Sequence, residues 1–194
     1  MQGRTVMRTT FVNSVAIVLV LTGGTAVSAQ VHDHGEAPVA PASGVKAADL
    51  QCRVQAPLPG ELAAWARPIV LEAGVAAQIA PGLAIGQAAN LTLKSTPQVR
   101  YALRPEKSGG SASFGGLIAL NVAEGGTYRV AISSGAWIDL VQGGKAVTSI
   151  AHGHGPDCSG VRKMVDFPLT PGNYTLQLGA NGAPQMTVLV VRLP

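Results

Sequence analysis

Residues 125–147, GGTYRVAISSGAWIDLVQGGKAV, and residues 168–191, PLTPGNYTLQLGANGAPQMTVLVV, decide the fold of this chain. Each has a glycine turn, then a tyrosine, then alternating apolar and polar residues, the two-residue period of a strand with one buried face. The pattern extends outward in both directions. In residues 89–94, Leu91 and Leu93 point one way while Asn90, Thr92 and Lys94 point the other. Similar runs fall at residues 99–104, 116–122, 127–133, 137–142, 146–151, 163–167, 174–178 and 186–193. Turn signals separate them at Gly109-Gly110, Gly125-Gly126, Gly143-Gly144, Pro171-Gly172 and Asn181-Gly182. About eight or nine short strands with no long helical pattern between them predict an all-β, antiparallel sandwich or barrel. One short helix is expected over residues 60–67, where Pro59 precedes Gly60-Glu61-Leu62-Ala63-Ala64-Trp65 and Pro68 stops it.

The first 29 residues have the three parts of an export signal: Arg4 and Arg8, the apolar run at residues 15–21, and the small-residue site Val27-Ser28-Ala29. Seven apolar residues are far short of the roughly 20 that span a bilayer as a helix, and Gly23-Gly24 follows at once. Cleavage near Ala29/Gln30 is predicted, with no membrane span afterwards and a periplasmic or secreted destination. Residues 30–50, rich in Ala, Pro and Gly, read as a flexible leader, and residues 51–194 as a single β-sandwich domain. The whole chain carries a formal charge of +4, but without Arg4 and Arg8 there remain 12 Lys and Arg against 10 Asp and Glu, scattered singly. That distribution excludes nucleic acid as a partner. The partner expected instead is an unidentified ligand or an envelope protein.

Cys52 and Cys158 are the only cysteines. In an oxidising compartment one pairing is possible, so a disulfide is expected; metal binding by the thiols beside the nearby histidines is the alternative. All four histidines sit in two His-x-His-Gly units, His32-Asp33-His34-Gly35 and His152-Gly153-His154-Gly155. On an extended segment, positions two apart share a face, so His152 and His154 can direct nitrogens at one ion with Asp157 adding a carboxylate, a donor set that suits Zn, Cu, Ni or Fe(II). Equally, they can be solvent-facing residues of a glycine-rich loop that presents Cys158 to Cys52. Cleavage before Gln30 also places His32 third from a free amine, where amine, two amides and imidazole form a square-planar site for Cu(II) or Ni(II), unless Gln30 cyclises. No nucleophile-elbow or phosphate-cradling context surrounds any Ser or Gly pair. Trp65 and Trp137 read first as core residues.

Residues 112–194, with their GTY and PGNY strand starts, resemble the jelly-roll sandwiches appended to secreted bacterial proteins, such as the pre-peptidase C-terminal domain. The resemblance implies a jelly roll and says little about activity. The HDHG leader, YALRPEK, GAWIDLV, HGHGPDCSG and VDFPLTPGNYTLQL together resemble short exported proteobacterial proteins labelled homogentisate 1,2-dioxygenase. That label implies a cytosolic, cupin-type iron enzyme of more than twice this length. Two functional expectations follow. The first is a non-catalytic exported β-sandwich that binds a ligand, with a transition metal held by the His-x-His pairs as one form of it. The second is a non-haem iron dioxygenase using His152, His154 and Asp157; the segment after Pro171-Gly172 holds no third histidine of the cupin kind.

Overall fold

The computed structural model describes Cys52 and residues 57–194. The expected export signal and the expected leader, with His32 and His34, lie outside the described residues. In the described part the alternation becomes two apolar rows that meet face to face. One row runs Ile118–Leu176–Leu140 across three strands, and the other runs Val165–Val130–Val190. Both rows belong to one buried core, in which each such side chain contributes roughly 1.5–3 kcal/mol by leaving water.

Eleven strands form among the described residues: β1 (Ile69–Glu72), β2 (Ala88–Thr92), β3 (Lys94–Ser95), β4 (Phe114–Val122), β5 (Gly126–Ile132), β6 (Trp137–Gln142), β7 (Lys145–Ala146), β8 (Ala151–Gly153), β9 (Lys163–Leu169), β10 (Gly172–Asn181) and β11 (Gln185–Arg192). They make a six-stranded sheet ordered β1-β2-β11-β5-β9-β8 and a five-stranded sheet ordered β3-β4-β10-β6-β7. The fold is the all-β sandwich that the sequence predicts. One pairing departs from antiparallel: β1 runs parallel to β2, with Ile69 opposite Ala89.

Four local expectations are corrected. Residues 99–104 are not a strand, and only Arg100 makes a bridge, to Ala76. Their backbone groups are met another way: the buried Gln177 side chain accepts from Leu103 N–H at 3.0 Å and donates to Leu103 C=O at 3.1 Å. The Tyr101 hydroxyl also reaches the Leu178 carbonyl at 3.3 Å. Gly115 leaves room for that tyrosine, because a Cβ there would collide with its hydroxyl. Residues 89–94 are shared between sheets: β2 ends at Thr92, Leu93 crosses, and β3 pairs in the other sheet. Residues 146–151 likewise form no single strand, since β7 ends at Ala146 and the chain changes sheets to start β8 at Ala151. The expected helix forms over Gly60–Ala66, but as a 3-10 helix.

This helix explains why β11 reads as a continuous apolar run. Val188 and Val190 face the core between the sheets, while Leu189 and Val191 face outward and are covered by Leu62 and Trp65 of the helix. A strand buried on both faces has no need of polar alternation. The β6–β7 hairpin turns on Gly143 and Gly144, whose φ values of 55° and 75° suit residues without a Cβ.

Candidate functional site

The disulfide expected from the sequence is formed. Cys52 and Cys158 are bonded with their Cα atoms 5.0 Å apart, joining positions separated by 106 residues. The loop that carries Cys158 holds itself together: Ser159 donates its hydroxyl to the Pro156 carbonyl and accepts from Val161 N–H at 3.1 Å. His154 donates Nδ1–H to the Arg162 carbonyl at 3.0 Å. It lines a shallow depression together with Asp157.

His152 belongs elsewhere. Strand β8 ends at Gly153, and His152 does not line the depression that His154 and Asp157 share. No group of three or more His, Cys, Asp or Glu side chains among the described residues is arranged to hold a metal ion. His152, His154 and Asp157 thus do not assemble as the expected ligand set, and the thiols are in the disulfide.

His152 instead lines a cleft of about 310 Å³ where the β8–β9 edge of one sheet faces β6 of the other. The connection between β7 and β8 crosses beside it and contributes Val147 and Ser149. Ile138, Val147, Val165 and Phe167 form an apolar floor, and Trp137, Asp139, Lys163 and His152 stand around it. The register places them. On β9, Lys163, Val165 and Phe167 occupy alternate positions on the inward face, so Lys163 is the one charged group in that row. On β6, Trp137 and Asp139 alternate with the inward Ile138 and Leu140.

The rim is tightly coupled. Trp137 donates its indole N–H to Asp139 Oδ1 at 2.9 Å. The ammonium groups of Lys107 and Lys163 lie 5.5 and 5.6 Å from the centroid of the Trp137 ring, within cation–π range. Lys163 Nζ donates to the Ala136 carbonyl at 3.0 Å. Burial pushes the Lys163 amine below its usual range and the nearby Lys107 charge pushes the same way, against the pull of Asp139. Burial likewise raises the Asp139 carboxyl, opposed by the Trp137 and Gln177 donors and reinforced by Glu106. Partly desolvated charges around an apolar floor mark a candidate site with a physical rationale.

A second charged group lies on the outer face of the same sheet edge. Arg129 donates from Nε and Nη2 to the two oxygens of buried Asp166, both at 2.8 Å, and Glu61 stands 3.8 Å from its Nη1. The Asp166 hydrogen bond, with its charge and that of Glu61, raises the Arg129 pKa against the cost of burial. With both carboxylate oxygens bound in a fork geometry, this group fastens the helix to the sheet.

Sequence reading missed Lys163 and Asp139, and it placed Trp137 in the core. The available signal was the strand alternation, which puts Lys163 on the same face as Val165 and Phe167 and puts Asp139 two residues after Trp137. A scan against protein-family models and a search of curated proteins both give no match. No helix among the described residues is long and apolar enough to cross a membrane.

Proposed function

We propose that this chain is an exported, non-catalytic β-sandwich that binds a small ligand in the cleft between β6 and the β8–β9 edge. The observation that carries this reading is the cleft itself: an apolar floor of Ile138, Val147, Val165 and Phe167 under a rim of aromatic and charged groups. Its volume is at the lower end of small-molecule sites, which run from roughly 300 to 1,000 Å³. Export is supported by the signal-like pattern of residues 1–29 and by the Cys52–Cys158 disulfide, a bond that persists in oxidising compartments. Binding of Cu, Zn or Fe by the His-x-His pairs rests on the sequence pattern alone, because the described residues supply no three-ligand group. Iron-dependent oxygenase chemistry lacks its ligand set there for the same reason.

Thermal-shift measurements with small organic acids, amines and alcohols test the reading. A bound ligand raises the melting temperature by mass action, and Val147→Trp, which fills the cleft from its half-buried flank, is expected to remove the shift. A shift that survives this substitution, or iron-dependent oxygen uptake with homogentisate, overturns the proposal.

A further inference from the structure

The chemistry of the ligand follows from which hydrogen-bonding groups in the cleft are already used. Asp139, the one carboxylate on the rim, has Oδ1 occupied by the Trp137 indole N–H. Lys163 gives one of its three ammonium hydrogens to the Ala136 carbonyl, which leaves two. Lys107 stands on the same indole ring, and among the described residues neither lysine has a carboxylate oxygen within the 4.0 Å of an ion pair. The ammonium hydrogens left on Lys163 are therefore donors without a protein partner among the described residues, above an apolar floor.

Resting on the cleft reading above, we propose that the cleft takes an amphipathic organic anion, a carboxylate on a short apolar chain, with its head on Lys163 and its chain along the apolar lining of the cleft. Lys163 bears the cost of partial burial and of the charge of exposed Lys107 nearby. An anion on Lys163 offsets both. A cation or a neutral alcohol offsets neither. The head group replaces water on Lys163, and the chain covers the half-buried Val147 at the mouth of the cleft.

The test uses octanoate, octanol and octylammonium as probes on the purified chain, followed by the emission of Trp137 and by calorimetry. Trp137→Phe identifies the signal from the cleft against that from Trp65. Octanoate is expected to bind at least about tenfold more tightly than octanol, the order of one charge-assisted hydrogen bond, and octylammonium more weakly than either. Lys163→Gln should weaken octanoate roughly tenfold while leaving octanol unchanged, and Lys163→Arg should restore most of the loss. Lys107→Gln, on a surface loop, gives a smaller loss in the same direction and is informative even if the Lys163 variant folds poorly. Octanol or octylammonium binding as well as octanoate, with Val147→Trp removing all three, overturns the anion inference and leaves the cleft reading standing. No binding by any probe overturns both.

Discussion

The two tryptophans occupy regions that differ in almost everything except residue type. Trp65 lies on the outer face of the six-stranded sheet at 7% exposure, with Leu62, Leu189 and Val191 around it. Trp137 is half-buried at a sheet edge, its N–H on a carboxylate and its ring beside two ammonium groups. The first is surrounded by groups that gain only by excluding water. The second is surrounded by groups that bear a cost for losing it. An indole closes a core in one place and frames an opening in the other, and the neighbours decide which.

Several substitutions would break or sharpen that contrast. Trp65→Ala should cost about 3–5 kcal/mol of stability, as other buried aromatic truncations do, whereas Trp137→Ala should cost clearly less while abolishing the probe response. Denaturant unfolding that gives equal losses for the two would erase the distinction. Removing the disulfide by Cys52→Ser/Cys158→Ser should cost about 2–5 kcal/mol, because a loop of 106 residues is released in the unfolded chain, and should leave the cleft's affinity unchanged. Altered affinity would tie the two regions together. The smallest effect is expected from Asp139→Asn, which keeps an oxygen for the indole N–H. Burial raises the Asp139 carboxyl in the folded state, so the unfolded chain releases that proton first and the wild type loses stability as pH rises from the ordinary carboxyl range through the raised value. Melting temperatures across that window should rise in the variant relative to the wild type and then level off; a constant difference would refute the assignment.

Much of the sandwich was legible because its central strands carry a one-sided burden. β4, β5, β6, β9 and β10 fall where the alternation predicts, and so does β11 despite its apolar run, since turn residues bound it. The margins were not legible, for three separate reasons. β1 is four residues long, and its Val70 is 83% exposed, so no buried face marks it. The stretch at 99–104 has a strand-like pattern, but a side chain 74 positions away, Gln177, supplies the bonds that a neighbouring strand would have supplied. β7 and β8 are pieces of two and three residues, set by where the chain changes sheets. The candidate site draws on both kinds of region: β6 and β9 supply most of its lining, and β8 with the β7–β8 connection supplies the rest. Lys163 and Asp139 are spaced to be found, yet only the meeting of two sheet edges tells that β6 and β9 bring them to one opening.

The covalent link between Cys52 and Cys158 also sets how the molecule bears load. A pull on the segment before Cys52 passes through the sulfurs to Cys158 and then along the backbone into β9, so the 106-residue span between the cysteines is out of the line of force. Strands β1 to β8 would keep their places while β9, β10 and β11 took the tension, and these three lie within the sheets, with neighbours on both sides.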